Sequence, residues 1–349
     1  MKILIDTTPI YATRGGNHTY SKELYAALSG LPDLSLQTFS YKRKPTNYQG
    51  VMRKCNAAYR DLLYFPAFGR LSSMGVDLIH STGSPVLSHV SGDKHVITVH
   101  DLAILDTPER FSSWSKWYFE KIYLPSLKRC RAIITNSQFT QSRLQALFPN
   151  LALKSTVTPL AAKDFSQIEA IPVGGLDQEF FLFVGSSDPA KNLNLIIQSY
   201  QEAGRHGLAL PKTIVVGTHN FGAGDNRVSD KNIITLGGVS DPQLKWLYEK
   251  CLAFLFPSYY EGFGLPVLEA MSCSAPVICG RVCSLPEVAG GAACYSELNP
   301  AAFFEAMERL YLDADYRKHL VERGRLHMDA YDWQHTADLT QQVYRSVMA

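Results

Sequence analysis

Short runs of β-branched and aromatic residues alternate with longer stretches of helical period along nearly the whole chain. In the first half the apolar runs are KILID (2–6), SLQTFSY (35–41), VDLIH (76–80), HVITVH (95–100), AIITNS (132–137) and KSTVTP (154–159). Between them, NHTYSKELYAALSG (17–30) and SKWYFEKIYLPSLKRC (115–130) are amphipathic at helical spacing. Strands alternating with helices predict an α/β fold with a doubly wound, mostly parallel sheet. Around 161–179 the pattern lapses into AAKDFSQIEAIPVGGLDQE, where Pro172, Gly174 and Gly175 mark a candidate linker. The alternation restarts with FFLFVG (180–185), a helix from about Asn192, KTIVVG (212–217), NIITLG (232–237), LAFLFP (252–257) and APVIC (275–279). The pattern therefore predicts two Rossmann-like domains facing each other, residues 1–165 and 176–330. A closing helix in YDWQHTADLTQQVYRSV (331–347) is expected to bring 331–349 back onto the first.

Length agrees with that division, since 349 residues exceed the ~250–300 at which a single core stops growing. A net charge of +2 supplies no global field and argues against nucleic acid as a partner. The seven cysteines show no CxxC and no zinc-type spacing, and their odd number argues against a disulfide framework. Those at 273–294 lie among Val, Ile and Ala and read as small buried hydrophobes, which favours a reducing compartment. The opening MKILIDTTPIY is too short an apolar run for a signal peptide, and no run of ~18 apolar residues is present. A soluble or peripheral protein of the cytoplasm is expected.

In doubly wound sheets ligands sit beyond the carboxyl ends of the strands. Four polar segments fall there: TRGGNH after the first strand, HD ending the fourth, GSSDPAKN after FFLFV, and SYYEGFGLP after LAFLFP. The last is the most informative. In SYYEGFGLPVLEAM (258–271), Gly262 and Gly264 permit a tight turn and close backbone approach to a ligand. Pro266 suits the first turn of a helix, so the amides near Phe263, Gly264 and Leu265 would face an anion. Glu269, about one turn into that helix, suits the vicinal hydroxyls of a ribose, and Glu261 could accept from a second polyol. Gly15 and Gly16, ahead of another predicted helix, offer a second anion-binding turn. A basic, aromatic-laced stretch from Tyr41 to Arg60 would suit anionic lipid head groups or a pyrophosphate-linked acceptor.

EGFGLPVLE resembles the E-x7-E motif of the retaining glycosyltransferases of family 4, which have the two-domain GT-B fold with a cleft between the domains. VHDLAILDTPERFS (99–112), AIITNSQFTQSRL (132–144), FVGSSDPAKNL (183–193) and SAPVICGRVCSLPEVAGGAACY (274–295) also resemble family segments, as does the closing helix. The nearest likeness is to bacterial mannosyltransferase-type members that build surface polysaccharides. The resemblance implies a hexosyltransferase using a nucleotide-diphosphate sugar, GDP-mannose or a UDP-hexose, with no metal or other cofactor. Glu261 would address hydroxyls of the donor sugar, Glu269 the ribose, and the amides of Gly262, Phe263, Gly264 and Leu265 the sugar and phosphate. Lys191 would neutralise the diphosphate, and His100 would bind or orient the reacting groups near the sugar, with Asp101 either orienting it or capping the following turn. Gly15 and Gly16 would approach the diphosphate or acceptor. Two departures stand out: Ala190 precedes Lys191 where many members have Arg, and Ser186 stands where others place an Arg. Arg281 is a candidate replacement cation. The acceptor, a saccharide or lipid-linked saccharide, is expected on the first domain, with peripheral membrane contact through 41–60 at the inner face. A UDP-sugar transferase acting on a soluble acceptor and a catalytically weak nucleotide-sugar-binding subunit are the alternatives. A dinucleotide oxidoreductase is disfavoured, because RGGNHT lacks GxGxxG.

Overall fold

The computed structural model describes residues 1–12, 15–42, 58–69, 74–83, 86–87, 90–217 and 230–349. These form two compact units, Met1–Ala161 with Asp332–Ala349, and Ala162–Tyr331. Each is built on a parallel sheet that is six-stranded among the described residues.

In the first unit the strands are β1 (Lys2–Asp6), β2 (Ser35–Phe39), β3 (Leu78–Ser81), β4 (His95–Val99), β5 (Ala132–Thr135) and β6 (Ser155–Val157). They lie in the order β2-β1-β3-β4-β5-β6, so the order reverses between β1 and β3. The helix Gly16–Ser29 buries Tyr20, Leu24 and Leu28, and the helix Trp333–Met348 buries Val343 and Tyr344. The predicted helix over 115–130 is a run of helical turns from 113 to 129, with a wider turn at Phe119–Tyr123 just before Pro125. A proline lacks the amide that an ordinary helix needs there, and the wider turn accommodates it.

The second unit contains β7 (Phe180–Val184), β8 (Lys212–Val216), β9 (Ile233–Gly237), β10 (Phe254–Phe256), β11 (Val277–Gly280) and β12 (Ala293–Ser296). Their order is β12-β11-β10-β7-β8-β9, reversing between β7 and β10. The unbroken apolar runs of this half have a direct cause. Phe180 and Leu182 join one buried cluster with Phe254, Phe256, Val277 and Cys279, while Phe181, Phe183, Leu255 and Ile278 join another. Successive side chains enter opposite faces, and both faces are covered, so no polar alternation survives.

Three readings need correction. β12, in ACYS, was not anticipated as a strand; its apolar stretch is only four residues long. The expected linker is not a free tether: Phe165 is buried in the second unit, Ile168, Val173 and Leu176 pack beside it, and the Lys245 ammonium donates to the carbonyls of Phe165 and Ile168. Arg60, counted in the basic stretch 41–60, is paired with Asp61 at 2.6 Å. Residues 43–57 of that stretch lie outside the described residues, as does Cys55. Cys273, Cys279 and Cys294 are buried, whereas Cys283 is half-buried with a left-handed backbone, φ 53°. Among the described residues no helix is long and apolar enough to cross a membrane.

Candidate functional site

Where strand order reverses, the loops leaving two adjacent strands diverge and leave a crevice. In the second unit β7 and β10 form that switch point, and the loops after them carry Lys191 and Glu261. Two backbone-anchored contacts join these loops: the Tyr259 amide donates to the Ala190 carbonyl (3.0 Å), and Asn192 Nδ2 donates to the Pro257 carbonyl (3.2 Å). Asn192 holds a left-handed conformation, φ 55°, between the turn Pro189–Lys191 and the helix Leu193–Arg205. Asn adopts that region more readily than most residues. The Asp188 carboxylate accepts from the Ala190 amide and fixes the preceding turn. The result brings Lys191 Nζ within 2.6 Å of Glu261 Oε1, across seventy residues of sequence. Lys191 also lies over the Phe256 ring, 5.6 Å from its centroid. Ser186 is exposed, and its hydroxyl accepts only a long contact from the Asp188 amide, so it supplies no charge in place of an Arg.

Glu261 is followed by the turn that starts the helix Leu265–Ser272. Gly264 sits at its cap with φ 106°, a conformation open to glycine, and a Cβ there would lie 2.8 Å from Leu285 Cδ2. The fully buried Ser284 holds the turn, its hydroxyl reaching the carbonyls of Phe263 (2.7 Å) and Glu261 (3.0 Å). Those carbonyls are thus turned into the protein. Among the described residues no backbone hydrogen bond engages the amides of Phe263, Gly264 and Leu265. The Phe263 side chain is core, edge-on to Tyr331. Glu269, half-buried on the helix, has its carboxyl pushed up from 4.5 to about 7 by burial, with Lys163 and the Tyr248 hydroxyl (3.4 Å) opposing the rise. Lys163 is itself paired with Asp241. Arg281 is exposed, its guanidinium 4.2 Å from the centre of the Tyr295 ring.

The first unit carries the other predicted residues. Gly15 (φ 109°) and Gly16 form the turn and first position of the helix Gly16–Ser29, and both are exposed. His100 follows β4 and meets the Thr82 carbonyl, at the end of β3, through Nε2 at 2.8 Å. A carbonyl only accepts, so Nε2 carries the proton and Nδ1 is the acceptor of the neutral ring. Burial depresses the His100 pKa, which keeps that ring neutral. Asp101 accepts from the Ala103 amide and caps a turn. Beneath His100 runs a buried chain: Tyr344 hydroxyl to His80 Nδ1 (2.6 Å), His80 Nε2 to Thr98 (2.8 Å), Thr98 to the Tyr20 hydroxyl (2.9 Å). The Tyr20 ring then meets the His100 ring edge-on at 4.8 Å. A pocket of about 350 Å³ opens beside His100 and Asp101, walled by Phe111, Trp114 and Tyr118.

The two units, with parallel sheets and polar groups at the strand ends, have the architecture of glycosyltransferases of the GT-B class. Sucrose-phosphate synthase from Thermosynechococcus elongatus matches with a TM-score of 0.76 at 18% identity, covering 99% of this chain and 98% of that one. HepE of Anabaena, in complex with UDP-glucose, matches with a TM-score of 0.70 at 16% identity, covering 99% of each chain. The model of the glycosyl transferases group 1 family matches residues 166–327, and that of glycosyltransferase family 4 matches residues 16–159. O-antigen chain mannosyltransferase B of Escherichia coli is 31% identical over 268 residues, 72% of this chain and 70% of that protein. The chain belongs to the family 4, group 1 glycosyltransferases.

Several residues that shape the site were not singled out from sequence: Ser284, Tyr248, Asn17, Asp61, Phe111 and Trp114. Ser284 and Tyr248 act through distant partners, and no local pattern marks them. Asn17 and Trp114 stood in view, inside TRGGNH and next to a predicted helix.

Proposed function

We propose that this glycosyltransferase is a retaining enzyme that moves mannose from GDP-mannose to a saccharide or lipid-linked saccharide acceptor. The observation carrying the donor assignment is the Lys191–Glu261 pair at the β7/β10 switch point, beside the unengaged amides at the Gly264 turn. The mannosyl choice is supported by the name of the E. coli relative.

In this reading the pair is a holding state. Glu261 keeps the Lys191 ammonium at the mouth of the site until the donor arrives. The ammonium then passes to the diphosphate, and the freed carboxylate accepts from hydroxyls of the sugar. Negative charge grows on the diphosphate as the C1–O bond breaks, and Lys191 with the Phe263–Leu265 amides stabilises it. Those groups supply the counter-charge without a metal, and Arg281 is the second cation. The acceptor oxygen bonds to C1 on the face the leaving group departs from, and its proton goes to the departing phosphate oxygen. Neither Glu261 nor Glu269 acts as nucleophile. Glu261 positions the sugar, and Glu269, as carboxylate, accepts from the ribose hydroxyls. Ser186, Gly262, Gly15 and Gly16 complete the donor contacts. The acceptor belongs to the first unit, with neutral His100 hydrogen-bonding and orienting reactants. The enzyme works in the cytoplasm, at the inner membrane face.

A UDP-sugar donor is the second reading, favoured by the HepE match, a protein seen with UDP-glucose. A thermal-shift series with GDP-, UDP- and ADP-sugars separates the two, because a ligand of the native state raises its melting temperature. A rise confined to GDP-mannose is expected. A rise confined to UDP-sugars selects the second reading, and no rise with any of them overturns the donor site.

A further inference from the structure

Asp241, Lys245 and Tyr248 stand at i, i+4 and i+7 on the helix Asp241–Lys250, so they share one face. The segment that opens the second unit lies along that face. Lys163, one residue past the first residue of the unit, pairs with Asp241. The Lys245 ammonium donates to the carbonyls of Phe165 (3.0 Å) and Ile168 (2.8 Å), and the Ile171 amide donates to the Pro242 carbonyl (3.1 Å). The Phe165 ring stands edge-on to the Tyr248 ring, with centroids 6.2 Å apart. The backbone just beyond Lys163 is therefore anchored, which limits where its ammonium can go.

The same helix face reaches Glu269. Tyr248 is fully buried and its hydroxyl donates to Glu269 Oε2 (3.4 Å), the only hydrogen bond of that carboxyl among the described residues. Burial pushes the Tyr248 pKa well above its ordinary value, so the hydroxyl stays a donor at any working pH. Burial likewise raises the Glu269 carboxyl to about 7; Lys163 is the strongest of the groups that lower it, Tyr248 follows, and Asp241 raises it. The helices Ala314–Met328 and Leu285–Ala289 meet the Glu269 helix through Gly324, beside Met271, and Leu285, beside Gly264. Cys273 and Cys279 are thiols that burial holds neutral. A carboxyl balanced near pH 7 serves vicinal hydroxyls best when ionised, because both oxygens then accept with charge assistance. Groups that favour the ionised form therefore favour nucleotide binding.

We infer that Lys163 and Tyr248 are positioning residues for the donor: Lys163, carried on the segment that enters the second unit, is the counter-charge of the Glu269 carboxylate, and Tyr248 fixes that carboxylate toward the ribose hydroxyls. This rests on the reading of Glu269 as the ribose acceptor. Calorimetry of GDP and UDP binding to the full chain, from about pH 6 to about pH 9, provides the test. In Lys163→Met the rise of affinity with pH should move up by about one pH unit, since a nearby opposite charge lowers a carboxyl pKa by about 1–3. Affinity then falls about fivefold at pH 7 and returns to the wild-type value at about pH 9, while Lys163→Arg keeps the wild-type profile. Tyr248→Phe should weaken binding about threefold even at the high end, because ionisation does not restore orientation. In a Glu269→Gln background both substitutions should matter far less, which a merely structural role would not produce, and melting temperatures check that each variant is folded. An unmoved profile in Lys163→Met, or losses undiminished in Glu269→Gln, overturns the assignment and leaves the donor reading standing as long as the wild type binds nucleotide. Failure of the wild type to bind either nucleotide overturns the donor reading and this role with it.

Discussion

The two units share a sheet architecture and place polar groups at corresponding strand ends, yet they handle charge in opposite ways. At the β7/β10 switch point a lysine and a glutamate face each other at 2.6 Å beside open backbone amides. Around His100, among the described residues, Arg60 is paired with Asp61, and burial lowers the pKa of His80 to about 3. A leaving diphosphate needs the first kind of surface and a neutral acceptor hydroxyl the second. On the proposed division of substrates, the pair at the β7/β10 switch point would meet the diphosphate and the strand ends around His100 the acceptor.

The largest effect expected from breaking that contrast comes from Lys191→Ala. It removes the point charge from the leaving group, and kcat should fall by about 10²–10³-fold with a much smaller change in donor KM. Steady-state kinetics with donor varied would show it; an unchanged kcat would sink the role. Glu269→Gln comes next, with nucleotide affinity expected to drop about tenfold at pH 8, as one charge-assisted acceptor is lost. The same variant tests the pH dependence. Because the folded pKa is raised, the stability Glu269 contributes is full below about 4.5 and is lost as pH rises through about 7. Nucleotide binding runs the other way, strengthening as the carboxylate forms, and Glu269→Gln should flatten both profiles. Tyr344→Phe removes a buried hydroxyl from His80 and should cost about 1–2 kcal/mol in stability, a fall of a few degrees in Tm, while leaving nucleotide affinity intact. The smallest effect is expected from EDTA, with transfer activity unchanged after chelation and dialysis.

The same contrast governs how much was legible beforehand. The strands of the second unit were readable because their apolar runs are long and uninterrupted, and β12 escaped because its run is four residues. Glu261, the turn glycines and Glu269 lie within nine residues, so spacing alone places them on one turn. That Lys191 and Glu261 bind each other was not readable, since the contact depends on Asn192 and Tyr259 tying two loops together. The pocket beside His100 was less legible still. Asn17, Asp61, Asp101 and Trp114 come from four separate segments, and the adjacency of Arg60 and Asp61 in sequence does not by itself show that their side chains pair.

The placement of Asp332–Ala349 with the first unit has a consequence for biosynthesis. The second unit is one continuous stretch and can condense as soon as it leaves the ribosome. The first unit has to wait, because Tyr344, the partner that completes the His80–Thr98–Tyr20 chain under His100, is translated after the whole second unit. On the proposed roles, the donor-binding half can therefore form before the His80–Thr98–Tyr20 chain beneath His100 gains its Tyr344 hydroxyl.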